Sequence, residues 1–566
     1  MKITWISLYI GCLFIGCSPQ SKHHIDAYDY EIVKKVERQK AAVVSAHPLA
    51  SEVGALVLKK GGNAVDAAIA TQLALAVVYP NAGNLGGGGF MVLQTHEGDI
   101  ATYDYRERAP GIASRDMYLN ESGDADSTLS RDGHLASGVP GTVAGLFASH
   151  GDYGRLPMEE LIQPAIDLAA KGFAITEREA RGLNRTKSDF EKYNTVAPAF
   201  VKAQEWRAGD TLIQADLAHT LERMRDQGAS GFYEGETADL LVAEMKRGGG
   251  IISHADMKGY QAVKREPILF DYKGYRIITM ALPSSGGVMM QQMMGMLENY
   301  PIENYGYGSP KAVQLMTEIE RRAYADRTEY MGDPDFVKVP VNELVDKAYL
   351  KQRMSDYDAA GPTPSTEVKS GLILEHEETT HLSVVDEEGN AVAVTTTLNG
   401  AYGSRVIVGG AGFILNNEMD DFSAKPGTPN KFGLLGTASN AIAPGKRMLS
   451  SMTPTIVSKD NKPYLVLGTP GGSTIITSVF QTLVNLLDFE LSVEDAVNNP
   501  KFHHQWQPDV IYIERDFSPT VRASLEQIGY RFVERGPIGR TEVIRLTESG
   551  VEAVADKRGD DSAAGY

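Results

Sequence analysis

Residues 381–399, "HLSVVDEEGNAVAVTTTLN", narrow the fold more than any other stretch. Apolar and polar side chains alternate on either side of a turn at Gly389, which is the pattern of a β-hairpin. "PYLVLGTPGGSTIITSVFQTLVNLLDF" then reads as strand, glycine turn and apolar helix. Near the start, "SEVGALVLKKGGNAVDAAIATQLALAVVYP" reads as two helices parted at Gly61 and Gly62, the second apolar enough to be buried. "NLGGGGFMVLQTHEGDIATYDYRERAP" reads as a glycine turn entering a hairpin. Residues 150–350 read as mostly helical, and 355–375 as an exposed linker rich in Gly, Pro and Ser. Strands and helices recur in both halves with no clean boundary and no internal repeat. That predicts one α/β domain whose sheets are covered by helices. With 566 residues, 42% of them hydrophobic, the chain can bury a substantial core.

The formal net charge is −18. A chain this acidic is a poor partner for nucleic acid, whose phosphates need an excess of Lys and Arg. An anionic ligand would need local positive groups set against that background.

Both cysteines, Cys12 and Cys17, lie in the opening "MKITWISLYIGCLFIGCSPQ". The rest of the chain therefore has no disulfide and no thiolate nucleophile. The opening has a basic start and an apolar run of about 14 residues, short of the ~20 that span a bilayer, and fits a secretory signal. "LFIGCS" is similar to a bacterial lipobox, with Phe14 where that pattern usually has Leu. Cleavage before Cys17 would leave this cysteine to be acylated; an ordinary secretory signal is the alternative. Residues 1–16 are thus expected to be a signal peptide and 17–40 a polar, lipid-anchored tether. Ser18, rather than Asp, after Cys17 resembles an outer-membrane sorting signal. The expected location is periplasmic or cell-envelope, as an outer-membrane lipoprotein that meets the membrane only through its lipid.

Several chemistries are excluded by spacing. A zinc-protease helix needs histidines at i and i+4, whereas His376 and His381 are five apart and would diverge by roughly 140° on a helix. No metal site is expected there, and His503 and His504 in "FHHQW" read as structural. No G-x-S-x-G elbow is present. "GNLGGGGF" lacks the Lys-Ser/Thr of a phosphate loop, so its glycines are better explained by close backbone packing. What remains is Thr379, which follows the linker and begins a strand. If the bond between Glu378 and Thr379 were cut, the new α-amino group, with a pKa of about 7.7–8.0, could serve as base for the threonine's own hydroxyl. By itself Thr379 also reads as an ordinary strand residue.

The motifs "TTHLSVVDEEGNAVAVTTTLN", "LNNEMDDFSAKPG", "RMLSSMTPTIV", "GTPGGSTIIT" and "PKFHHQW" together resemble the γ-glutamyltranspeptidases. "GGNAVDAAIA", "NLGGGGFMV", "DYRERAP" and "ASGVPGTVAG" extend the resemblance back to about residue 40. It implies a four-layer αββα sandwich of the N-terminal-nucleophile hydrolase type, one domain formed by two autoprocessed subunits. These would be residues 41–378 (large) and 379–566 (small), of about 39 and 20 kDa if the large subunit begins at Cys17. Thr379 would be the nucleophile both in self-cleavage, on the carbonyl of Glu378, and in turnover. Thr397 would tune its hydroxyl, and Gly471 and Gly472 would form the oxyanion hole. Arg106, Ser450 and Ser451 would hold the substrate α-carboxylate, and Asn399, Glu418 and Asp421 its α-ammonium. Glu418 stands where some bacterial members have Gln, and Phe432 where some have a lid tyrosine; losing that hydroxyl is expected to shift the balance of transfer to hydrolysis. The implied substrates are glutathione and other γ-glutamyl compounds, with water, an amino acid or a dipeptide as acceptor and no cofactor. Two alternatives are a glutaryl acylase, which has no use for Glu418 and Asp421, and an uncut lipoprotein that only binds γ-glutamyl ligands.

Overall fold

The computed structural model describes residues 25–365, 379–425 and 437–566. Glu378, Cys17 and Phe432 therefore lie outside the described residues, as does His376.

Two seven-stranded sheets form the centre. The first has, in order, strands Ser562–Gly565, Ala42–Ser45, Thr380–Val385, Ala391–Thr397, Gly88–Gln94, Ile100–Asp104 and Val263–Arg265. The second runs Lys35–Arg38, Gly550–Val554, Glu542–Thr547, Lys462–Gly468, Thr455–Lys459, Tyr275–Thr279 and Ile268–Tyr272. All neighbours within each sheet are antiparallel.

Alternation along the first sheet's strands sorts side chains between two cores. Val43, Met91, Leu93, Leu382, Val384, Val392 and Val394 face a core shared with the helices Pro48–Lys59 and Ala64–Val78. Ala42, Val44, Phe90, Val92, Ala391 and Ala393 face the other way, toward Ile456, Val466 and Ile544 of the second sheet. The helices Gly286–Leu297, Pro310–Tyr330 and Thr474–Leu487 share that second core. The result is the expected order helix, sheet, sheet, helix. Helix Ala64–Val78 is buried on every side and opens on an Asn63–Asp66 capping box just after the Gly61-Gly62 break.

Residues 150–350 are mostly helical, as expected, but also supply strands Val263–Arg265, Ile268–Tyr272 and Tyr275–Thr279, which lie at one end of the two sheets. Part of the polar tether is built in: Lys35–Arg38 pairs with Gly550–Val554, and Lys34 Nζ donates to the carbonyls of Asp556, Gly559 and Asp561 at 2.7–2.8 Å. Residues 358–360 are exposed as expected, but the segment is also anchored, because Arg321 and Arg322 of helix Pro310–Tyr330 bond Ser365, Asp356 and Thr363, and Thr363 and Ser365 are buried. No helix among the described residues is long and apolar enough to cross a membrane.

The glycine run packs as its sequence suggests. A Cβ on Gly87 would lie 2.0 Å from the carbonyl oxygen of Thr397, and one on Gly89 would lie 2.5 Å from that of Thr395. These are backbone atoms and cannot rotate aside. Gly87→Ala is therefore expected to cost about 1–3 kcal/mol or more and to disturb Thr397, read as a lower urea midpoint together with lost activity. An unchanged midpoint would show that the strand ends tolerate separation.

Candidate active site

The hairpin places the two central threonines. Thr380 pairs with Thr396, so the register continued by one residue sets Thr379 across from Thr397. Thr397 pairs on its other side with Gly88 of the glycine run. Beyond the strand end Asn399 adopts a left-handed conformation, φ 69°, and its backbone N–H donates to Thr397 Oγ1 at 2.7 Å. Its side-chain nitrogen donates to the carbonyl of Asn417, while Asn399 Oδ1 is buried with no hydrogen-bond partner among the described residues.

Thr379, Thr397, Asn399, Arg106, Glu418, Asp421, Ser450, Ser451 and Gly472 line one cavity. Gly471 instead lines a neighbouring, larger one. Arg327, Met452 and Ile475 complete the first cavity and were not singled out from the sequence. Arg106 and Arg327 precede the expected cut while the other lining residues follow it, so neither half alone makes the site.

Arg106 follows strand Ile100–Asp104 and is 1% exposed. Its guanidinium donates to both Glu418 and Asp421, and Glu107 lies 3.5 Å away. Burial alone would lower its pKa, but Glu418, Asp421 and Glu107 outweigh that and raise it. Glu107 is pushed well above the usual carboxylate range by burial and by Glu418, against the pull of Arg106. The groups expected to take the substrate's two charges thus neutralise one another. The cavity left between them is only about 20 Å³, about room for one water.

Arg327 arrives from helix Pro310–Tyr330, donating to Ser285 Oγ at 2.9 Å and Ser451 Oγ at 3.2 Å. Burial lowers its pKa from the arginine norm. Gly471 and Gly472, with φ 138° and 49°, directly precede helix Thr474–Leu487. The N–H groups at such a helix start lack partners within the helix and favour negative charge.

The histidines are packing elements. His381 sits against Thr395 Oγ1 and Ser383 Oγ, and burial pushes it down to about 3. Burial also pushes His503, which bonds Thr477 and Gln505, down to about 3, and His504 down to about 4. The described residues contain no cluster of three or more metal-ligating side chains. Unfolded histidine titrates near 6.5. Unfolding therefore takes up protons as pH falls from there toward 3–4; the histidines' contribution to stability is complete above about pH 6.5 and lost through that window. His503→Asn is expected to remove about one proton from this uptake, so that urea midpoints from pH 7 to 4 fall less steeply. An unchanged slope would mean that His503 is already charged in the folded protein.

Two antiparallel sheets between helical layers, with Thr379 just ahead of a central strand and sharing a cavity with Gly472, have the N-terminal-nucleophile hydrolase fold. Residues 50–566 match the gamma-glutamyltranspeptidase family model. The chain is 45% identical to the glutathione hydrolase proenzyme of Escherichia coli (strain K12), over 98% of this chain and 97% of that one. It is 43% identical to the crystal structure of Helicobacter pylori gamma-glutamyltranspeptidase, with a TM-score of 0.57 over 61% of this chain and 97% of that one. A cephalosporin acylase from Bacillus halodurans shares the fold at 24% identity, with a TM-score of 0.82 over 97% and 99% of the two chains. The chain belongs to the gamma-glutamyltranspeptidase family.

Proposed function

We propose that this protein cuts itself before Thr379 and then transfers γ-glutamyl groups from glutathione and related amides to water, amino acids or dipeptides. One observation carries the reading: Arg106, Glu418, Asp421 and the unpartnered Asn399 Oδ1 line the same cavity as Thr379. A γ-glutamyl head brings an α-carboxylate for a guanidinium fork and an α-ammonium for the acceptors. A glutaryl head would leave the ammonium acceptors unused, which disfavours the acylase reading.

In self-cleavage the Thr379 hydroxyl attacks the carbonyl carbon of Glu378. The backbone C–N bond breaks as an ester forms, and water releases the large subunit. The freed α-amino group then takes the hydroxyl proton when Thr379 attacks the γ-carbonyl. N–H groups at Gly471 and Gly472 stabilise the tetrahedral oxyanion, one such donor being worth roughly 2.7–4 kcal/mol. The α-ammonium returns its proton to the leaving amine. Water or an amine then resolves the γ-glutamyl ester. Residues 1–16 serve as the export signal and Cys17 carries the lipid.

The test is to incubate the purified protein with glutathione, with and without a dipeptide, while its chains are run on a denaturing gel and their amino termini read by mass spectrometry. Two chains, one beginning at Thr379, with glutamate and γ-glutamyl dipeptide released, are expected. A single persistent chain that binds glutathione without consuming it would replace the enzyme with a binding protein. An unmodified Cys17 would remove the anchor alone.

A further inference from the structure

A further cavity, of about 280 Å³, shares no lining residue with the Thr379 cavity. Two helices wall it. Ala312, Val313 and Met316 come from the first turns of Pro310–Tyr330, and Gln481 and Asn485 from the later turns of Thr474–Leu487. The opposite ends of the same helices reach the Thr379 cavity, through Arg327 and through the turn at Gly472. The rise from Thr474 to Asn485 is roughly 16 Å, so the two cavities are well separated.

Four rings line it in two edge-to-face pairs: Tyr307 with Phe489, centroids 5.8 Å apart, and Phe502 with Phe517, 6.3 Å apart. Gln481 is committed. Its Nε2 donates to Glu320 Oε1 at 3.0 Å and to the carbonyl of Phe502 at 2.6 Å, and its Oε1 accepts from Phe502 N at 3.2 Å. Asn485, one turn further on, is 7% exposed, yet its side-chain amide has no hydrogen-bond partner among the described residues. A buried amide without a partner is costly, and a ligand in this cavity would supply one. Asp516 is the one charged residue on the wall among the described residues. Lys557 Nζ lies 3.7 Å from it with both side chains exposed, a weak pairing.

We propose that this cavity is a second small-molecule site, for a compact aromatic ammonium: one ring among the four aromatic side chains, and a cationic nitrogen taken by Asn485 Oδ1 and the Asp516 carboxylate. The volume is just under the roughly 300 Å³ at which drug-sized sites begin, which limits the ligand to a single ring. Aromatic walls offer edges and faces to that ring, and their faces also attract a cation. An anion of the same size would meet Asp516 and those negative faces instead. The site goes beyond γ-glutamyl transfer and stands whether or not that reading holds.

The test titrates the purified protein calorimetrically with N,N-dimethylphenethylamine, whose tertiary amine cannot be acylated, and with phenylacetate as its anionic counterpart. The amine is expected to bind once per chain, with a Kd in the low-millimolar range or tighter, and phenylacetate about tenfold or more weakly than that. Asn485→Leu should weaken the amine about tenfold by removing the acceptor, and Asp516→Asn should weaken it too. Val313→Phe, which fills the cavity from the other helix, should abolish binding and provides an independent variant should Asn485→Leu fold poorly. Saturating glutamate, which the Thr379 cavity is proposed to hold, should leave the isotherm unchanged. With the amine bound, amide hydrogen exchange should slow in helices Pro310–Tyr330 and Thr474–Leu487. No binding, equal binding of the anion, loss of the isotherm on adding glutamate, or exchange protection confined to other segments overturns the site.

Discussion

Thr379→Ala is expected to yield one uncut polypeptide near 60 kDa and to lower glutathione breakdown by roughly 10⁴-fold or more, the scale on which a nucleophile acting as part of a unit is lost. Thr379→Ser should still split into chains of about 39 and 20 kDa and still turn over, because the hydroxyl and the α-amine are both kept. The two outcomes are linked by geometry. Thr379 is 4% exposed, stands across from Thr397 by the strand register, and shares its cavity with Gly472 and Arg106. The other hydroxyls of that strand do not line the cavity: Thr380 is fully buried, and Ser383 Oγ donates to the backbone of Glu542 and contacts His381. A denaturing gel and a glutamate-release assay read both effects. Retained glutathione breakdown in the alanine variant would remove Thr379 from the chemistry altogether.

How much of this was legible in the sequence depends on the range of the interaction. The hairpin that carries Thr397 is local: period-two alternation and Gly389 define both strands, and the structure has them at Thr380–Val385 and Ala391–Thr397. The "TPGGST" turn into helix Thr474–Leu487 is local too. Arg106, Glu418 and Asp421 were reached through motif resemblance, since an arginine beside a strand and a pair of acids in a loop otherwise look solvated. Arg327 gave no signal of its own. It lies in "EIERRAYADRTEY", a charge-rich run that reads as a surface helix. That helix instead packs in an outer layer with Glu318, Glu320, Arg321, Arg322 and Arg327 all buried, because the segment 355–365 and the C-terminal part of the chain close over it. Burial of this kind is decided by distant segments, so no window of the helix could reveal it. The same holds for Lys35–Arg38, a polar stretch made into a strand by an edge waiting at Gly550–Val554.

Removing Arg106 is expected to separate the proposed substrate recognition from structural neutralisation. Its guanidinium is shared by Glu418 and Asp421 with Glu107 close by, all but Asp421 essentially inaccessible. Taking away one member of such a buried network leaves uncompensated charge, at a cost of about 3–5 kcal/mol. Arg106→Ala should therefore lower the urea midpoint, and should raise the KM for glutathione about 100-fold, as expected when a buried charged partner is lost. The deficit should depend on pH with a definite sign. Glu107 already has a raised pKa, from burial and from Glu418 against the pull of Arg106, and without the arginine it is held higher still. A carboxyl whose folded pKa is raised favours folding at low pH and loses that contribution as pH rises. The stability gap between Arg106→Ala and wild type should thus be smaller at pH 5 than at pH 8. Adding Asp421→Asn removes one of the stranded charges, so the double variant should recover part of the midpoint while its KM stays high, since neither the carboxylate fork nor the full set of ammonium acceptors is restored. Arg106→Lys keeps the charge but cannot reach two acids with one planar fork, and should fall between wild type and alanine in both measurements. If Arg106→Ala instead kept a wild-type KM, the carboxylate clamp would have to be sought at Arg327, the other guanidinium lining the cavity.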